Sequence, residues 1–400
     1  MGKMVDKEQE LSFWLQYEKK KMQECAGTLH NLASAFLIQE KEEESVVDKE
    51  RQNLFLKRRL KENRSLIADH LKEMASIMEK SAKEKIKIIK LSEKKERQMI
   101  RLLFQEGLIM EDFFILEKEN GRKEAVVKLY QNKLYEKNKV YSTEEVAAFL
   151  SVILNMRLIP TIKTPFFITN KPENFRFEED SGYMVLTGFA KTIKEGEKVS
   201  GDSYSFLETD EKKFYAILSD GMGSGKKAEE DSEIILELAE RFLESGFSTR
   251  LTAKMINDTL LAGGEGKNMS TLDICSIDLY TGETEFLKVG AAYSLLKRDG
   301  YVEKIPSLGL PLGIFYEMEM NHYQKQLLDG DYIFLFSDGI LDSFAGEEGE
   351  ELLKEMVARI PYRRPSEMAG HIMKHAISAS GGRVRDDMTV LVMGIWENLE

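Results

Sequence analysis

The chain holds 400 residues, 42% hydrophobic and 32% charged, and its 69 acidic against 57 basic residues give a net charge of -12. That length favours two or three domains with a sizeable core in at least one, and the composition excludes a wholly disordered or wholly membrane-embedded chain. The acidic balance excludes nucleic-acid binding through phosphate neutralisation, and the two cysteines, Cys25 and Cys275, match no zinc or redox spacing.

No uncharged stretch approaches the roughly 20 apolar residues that a membrane-spanning helix needs. The best runs from residue 146 to 156 and ends at Arg157. The start of the chain lacks the basic-then-apolar order of a secretory signal, and Asp6 stands where a myristoylation site wants Ser or Thr. A reduced, cytoplasmic setting is therefore expected, with a membrane reached only if an upstream segment anchors the chain.

Residues 1–100 are expected to form a helical stalk or hairpin that supports dimerisation. Met22, Cys25, Leu29, Leu32 and Phe36 recur at steps of three or four, and Leu60, Ile67 and Met74 recur every seven, the pattern of a packed or coiled helical seam. Between them, residues 41–64 carry charges of both signs and read as a solvated helix or a connection. Residues 101–180 are expected to form a small α/β regulatory module. Its strands fall at 112–116 and 125–130, joined through the hairpin dipeptide Asn120-Gly121, and a Ser142/Glu145 capping box opens a helix over 146–154. Pro160, Pro165 and Pro172 then punctuate a connecting stretch up to a boundary near 180.

In residues 181–400 strands are expected at 183–191, 214–219, 272–279, 284–289, 293–297, 331–337 and 388–395. Helices are expected at 226–245, 248–261, 347–359 and 365–378. Strands surrounding grouped helices, without strict alternation, predict an α+β fold with largely antiparallel sheets.

Aspartates gather at the ends of these strands: Asp202 in Ser200-Gly201-Asp202, Asp220 in Ser219-Asp220-Gly221, Asp338 in Ser337-Asp338-Gly339, and Asp386-Asp387 before Met388-Thr389-Val390. Glycine beside such a carboxylate lets backbone approach closely. Several converging carboxylates repel one another unless a cation neutralises them, and all-oxygen donors select magnesium or manganese over zinc. A lone Asp-Gly usually makes only a turn. Two Ser-Asp-Gly copies behind apolar strands, with an Asp-Asp entering a third, weigh toward a metal site. The glycine-rich run 219–227 fails the P-loop pattern, which needs Gly at Asp220 and Ser or Thr at Lys227, and the dinucleotide fingerprint, which needs Gly at Lys226. His371 and His375 have a zinc-compatible helical spacing, but Ile372 stands where a metalloprotease has Glu, so a surface or packing role is expected.

Together with Ser270-Thr271-Leu272-Asp273, these motifs resemble, in order and spacing over roughly residues 182–397, the metal-dependent serine/threonine protein phosphatases of type 2C. The run Ser219-Asp220-Gly221-Met222-Gly223-Ser224-Gly225 is similar to the bacterial sporulation and stress-response branch of that family. The resemblance implies a β-sandwich flanked by helices, with two manganese or magnesium ions in the cleft between the sheets. It implies that Asp220 bridges both ions, that the Gly221 carbonyl completes the second site, that Asp338 and Asp386 hold the first, and that Asp202 acts mainly through bound water. Asp387 is the alternative to Asp386. The implied reaction is direct attack of metal-activated water on a phosphoserine or phosphothreonine regulatory protein. By the sporulation likeness the substrate is an anti-sigma factor antagonist, and its dephosphorylation activates a sporulation or stress sigma factor.

Two departures from the family pattern matter. Many relatives outside this branch have histidine where Met222 stands, and their phosphate-gripping arginine has no clear counterpart, Lys191 and Lys194 being the candidates. These gaps keep a second reading in view, a phosphatase-like scaffold that binds a phosphoprotein without hydrolysing it, against which the retained aspartates weigh. Helices 226–261 directly follow the metal turn, and they are expected to move to complete the site when the N-terminal part or a partner pushes on them.

Overall fold

The computed structural model describes residues 16–35, 51–89, 91–132, 140–161, 164–262, 269–315, 318–344, 349–361 and 364–398, with the backbone alone for 51–63 and 262. They fall into two compact units, 1–180 and 181–400.

The first unit opens with two helices, α1 over residues 16–35 and α2 over Arg51–Lys83. They run antiparallel: Lys19 Nζ donates to the Glu84 carbonyl, and His30 Nε2 lies 3.4 Å from Glu79 Oε1. Their seam is made of alanines, Ala26 and Ala33 on one side and Ala68, Ala75 and Ala82 on the other, all buried and seven residues apart. The seven-residue period is as expected, but its phase is one residue later. Met22, Leu32 and Ile67 remain 39%, 47% and 43% exposed, and Cys25 is exposed too. Small side chains win the seam because they let two helix backbones approach closely. Phe36 and the Leu60 side chain lie outside the described residues.

A short strand, β1 (Lys87–Ile89), interrupts the helical stretch, and α3 (Glu93–Gln105) follows behind the N-cap Ser92. Next come β2 (Leu108–Glu117), β3 (Lys123–Gln131), α4 (Thr143–Leu154), β4 (Leu158–Pro160) and β5 (Glu173–Glu179). The strands form one antiparallel sheet in the order β1-β2-β3-β5-β4. Gly121 takes φ 81° in the β2–β3 turn, and the Ser142/Glu145 capping box opens α4 with both of its hydrogen bonds. The proline-punctuated connection is thus two strands in part. Phe175 and Phe177 are fully buried and alternate with polar Arg176 and Glu178, while Pro160 is tolerated because β4 is an edge.

The second unit contains β6 (Tyr183–Thr192), β7 (Asp202–Glu208), β8 (Lys213–Asp220), α5 (Lys226–Glu244) and α6 (Thr249–Ala262). There follow β9 (Leu272–Asp278), β10 (Glu283–Val289), β11 (Ser294–Arg298), β12 (Tyr301–Ile305), β13 (Asn321–Gln326) and β14 (Tyr332–Phe336). Helices α7 (Asp338–Ser343), α8 (Gly349–Arg359) and α9 (Pro365–Ala379) precede the last strand, β15 (Met388–Glu397). Two five-stranded antiparallel sheets, ordered β13-β10-β9-β8-β7 and β12-β11-β14-β15-β6, face each other. Between them pack Phe214, Ala216, Leu218, Phe286, Ile333 and Leu391. Helices α5 and α6 cover the outer face of the first sheet through Tyr215, Ile217, Ile235 and Ile256, and α8 and α9 cover the second through Phe334, Leu353 and Ile372. Strands covered on both faces read as continuous apolar runs, which is why β8, β9, β14 and β15 are legible in the sequence. The unexpected strands β7, β12 and β13 are sheet edges, where most positions are only partly buried and the apolar run disappears.

Helix α9 lies hard against β6. A Cβ added at Gly188 would stand 2.1 Å from the Ser366 backbone nitrogen. Gly188→Ala is expected to destabilise the second unit by about 1–3 kcal/mol through overpacking, checked by a lower midpoint in urea at unchanged slope.

Candidate metal and active site

Strand β7 begins at Asp202 and β8 ends at Asp220, and the antiparallel register sets the two opposite each other. Like charges directly opposed across a strand pair destabilise it, so this placement marks a site and not a fold requirement. Asp338 opens α7 immediately after β14, and Asp386 and Asp387 lead into β15, the neighbour of β14. The aspartates thus converge where the ends of the two sheets meet.

Hydroxyl groups hold this arrangement. Thr389 Oγ1 donates to Asp202 Oδ2 at 2.6 Å, tying one sheet to the other, while the Thr389 N–H donates to Ser337 Oγ at 2.8 Å. Thr271 Oγ1 accepts from the Asp220 N–H at 3.0 Å, and the Lys191 ammonium donates to the Asp202 carbonyl at 2.6 Å. Asp202 Oδ1 is buried with no hydrogen-bond partner among the described residues.

The electrostatics reflect the crowding. Burial first, then the charges of Asp202 and Asp338, a hydrogen bond with Asp338 and the charge of Asp386, push Asp220 up to about 10. Burial also raises Asp202 to about 6 against the lowering pull of the Thr389 and Ser337 hydroxyls, and it raises Asp338. Among the described residues no three acidic, histidine or cysteine side chains form a ready-made cage; Asp220 and Asp338 instead lie close enough to raise each other's charge cost, an arrangement that a proton or a cation must relieve. An all-oxygen donor set, mutually repelling buried carboxylates and an orphaned buried Asp202 oxygen together fit a hard divalent cation.

The paired acids Asp386 and Asp387 differ. Asp387 is buried, and its two oxygens accept from the Lys194 N–H at 2.9 Å and the Gly201 N–H at 2.8 Å. Asp386 is 42% exposed, bears on Asp220 and Asp338, and lies 3.4 Å from Lys194 Nζ. The motif glycines answer to the protein's own backbone: a Cβ at Gly221 would stand 2.1 Å from the Ala228 carbonyl in the first turn of α5, and one at Gly339 2.2 Å from the Asp387 carbonyl. His371 and His375 lie on α9 with ring centroids 4.5 Å apart, and burial followed by His375 and Lys374 holds His371 low.

Thr271 and Thr389 stand inside motifs the sequence singled out, but their roles as props appear only in the fold. Asp273 also stands in one of those motifs, but its fully buried partner Lys288 does not, and the pair appears only in the fold. Its signal was a charged residue in each of two otherwise apolar strands, β9 and β10.

Comparison with known proteins agrees with this architecture. Residues 210–396 match the family described as "Stage II sporulation protein E (SpoIIE)", and residues 16–175 match "SpoIIE, regulatory domain". The chain is 35% identical over 258 residues, 64% of its length, to stage II sporulation protein E of Bacillus subtilis (strain 168), and spans 31% of that protein. It is 23% identical over 163 residues to the phosphoserine phosphatase RsbP of the same organism, covering 40% of each chain. Among solved structures, the PP2C phosphatase domain of SpoIIE from Bacillus subtilis, with a fragment of its regulatory domain, superposes with a TM-score of 0.63 at 30% identity. That match covers 87% of this chain and 97% of the other. With both units matched in the order in which one family carries them, the chain belongs to the stage II sporulation protein E family of PP2C-type serine phosphatases.

Proposed function

We propose that the chain is a manganese- or magnesium-dependent phosphatase acting on phosphoserine or phosphothreonine in a bacterial regulatory protein. The observation that carries this is the convergence of Asp202, Asp220, Asp338 and Asp386, with an orphaned buried Asp202 oxygen, at the meeting of the two sheets. In this reading Asp220, the Gly221 carbonyl, Asp338 and Asp386 would hold the cations, and Asp202 would act through water. Bound there, the cations supply Lewis acidity toward the phosphoryl oxygens and a water nucleophile near neutral pH. Asp387 is a brace: both its oxygens are taken by backbone N–H groups. Of the two lysines, Lys191 is committed to the Asp202 carbonyl, whereas Lys194 keeps a third of its side chain exposed beside Asp386 and takes the incoming phosphate charge.

The substrate class we favour is an anti-sigma factor antagonist, because the relatives belong to sporulation and phosphoserine-phosphatase signalling. Two further features support regulation. The first turn of α5 touches Gly221 so closely that a shift of α5 would reposition the metal turn. The α1–α2 hairpin leaves Met22, Leu32 and Ile67 exposed, a surface suited to homodimerisation. Among the described residues no helix is long and apolar enough to cross a membrane.

The deciding experiment is phosphate release from a phosphoserine-bearing antagonist with manganese or with chelator. Manganese-dependent release is the expected result, and a folded, manganese-loaded chain that binds the phosphoprotein without releasing phosphate would instead establish the scaffold reading. Lys194→Ala is expected to raise KM more than it lowers kcat, as loss of a substrate-charge contact should.

A further inference from the structure

In the first unit a cavity of about 420 Å³ opens among the end of β1, the start of α3, strands β2 and β3 and the end of α4. Its apolar lining comes from Ile115 and Leu154, both buried, and from half-buried Ile89, Leu91 and Met156, which pack against the same core. Its charged lining is Lys95, exposed, and Lys123, half-buried, and no acidic residue contributes to it. Among the described residues no acid pairs with either ammonium. Glu117, which opposes Lys123 in the β2–β3 register, lies 3.8 Å from Lys87 Nζ instead. The crevice is thus apolar within and purely positive in charge, in a chain whose net charge is -12.

Protein interiors close up until few voids larger than a water molecule remain. Apolar side chains left around a crevice of this size forgo burial that folding otherwise rewards. Ligand pockets have this make-up: a few hundred Å³, mainly apolar walls, and a small number of polar groups that fix orientation. The charge then selects the ligand. We propose that the first unit binds a small amphipathic anion, its apolar body against Ile115, Leu154 and Met156 and its anionic head held by Lys95 and Lys123. A cation would meet two like charges, and a wholly polar anion would leave the apolar wall wet. Each lysine carries a compact charge on a flexible four-carbon stem, so both can turn to one head group at the mouth. The assignment does not depend on the metal reading above.

The test is calorimetric titration of the full 400-residue chain with sodium dodecanoate below its micelle-forming concentration, beside acetate and dodecyltrimethylammonium. It is repeated on Lys95→Glu/Lys123→Gln and on Lys95→Glu alone, whose exposed position makes it the safer substitution, with cooperative urea unfolding as the check of fold. The wild-type chain is expected to bind one equivalent of dodecanoate and no measurable acetate. In the double variant the dodecanoate dissociation constant should rise roughly threefold to tenfold, as the loss of two solvent-exposed charge contacts implies, while dodecyltrimethylammonium binds more tightly than to wild type. That gain for the cation is something a merely loosened fold would not give. A wild-type chain that binds no dodecanoate, that takes up many equivalents as a protein coated by detergent does, or that holds acetate as tightly would overturn the proposal. So would unchanged dodecanoate affinity in the folded double variant, or in the single variant should only that one fold. Each of these outcomes leaves the phosphatase reading standing.

Discussion

Asp220→Asn is expected to lower phosphate release by a factor on the order of 10³, the size of effect seen when a charge-stabilising group is removed from an active site, and yet to raise the thermal midpoint of the metal-free chain. The two effects share one origin. Asp220 is buried among Asp202, Asp338 and Asp386, and burial with their repulsion pushes it up to about 10. An unfolded aspartate ionises near pH 3.9. Between those limits the folded chain binds more protons than the unfolded chain. The metal-free fold is therefore most stable at the acid end of the window and loses stability as pH rises toward 10. A divalent cation replaces the proton, so manganese should stabilise the wild-type chain more at pH 8.5 than at pH 5.5. The amide of Asp220→Asn carries no proton to lose, and this slope should flatten. Scanning calorimetry at the two pH values, with chelator or manganese, decides the matter. A metal-free wild-type midpoint that rises with pH, or a variant that fails to fold, would refute the placement of Asp220.

Much of this was legible in the sequence where one physical signal dominates. Strands β8, β9, β14 and β15 are covered on both faces, so their apolar runs stand out, and the acids beside them are conspicuous because turns alone do not account for two Ser-Asp-Gly copies and an Asp-Asp. The Ser142/Glu145 capping box and the Asn120-Gly121 turn are local interactions that need no tertiary context. What escaped depends on partners distant in sequence. The helical seam has the right period and the wrong phase, because Ala26 and Ala75 differ from their larger neighbours only in how closely two backbones can approach over them. The edge strands β7, β12 and β13 have polar sides that no periodicity count separates from loops. The proposed division of labour between Asp386 and Asp387 rests on two backbone N–H groups almost 200 residues earlier in the chain, at Lys194 and Gly201.

That division yields the sharpest contrast between neighbouring residues. Asp387→Asn replaces a carboxylate that accepts two backbone hydrogen bonds with an amide that accepts at one atom and presents a donor at the other. One buried N–H then faces an N–H, and the expected loss is about 1–3 kcal/mol of stability, seen as a lower urea midpoint. Because the brace at Asp387 also holds the Lys194 backbone, whose ammonium lies beside Asp386, some turnover should be lost with it, but manganese should still bind the folded fraction. Asp386→Asn should behave in the opposite way. Its carboxylate is 42% exposed and touches Lys194 Nζ at 3.4 Å, so the amide leaves the urea midpoint within about 0.5 kcal/mol of wild type while manganese affinity and turnover fall together. Matched denaturation and manganese titration on the two variants settle which acid faces the cation. If Asp387→Asn keeps full stability and loses manganese while Asp386→Asn keeps manganese, the two roles are exchanged, and the brace must be sought at Asp386.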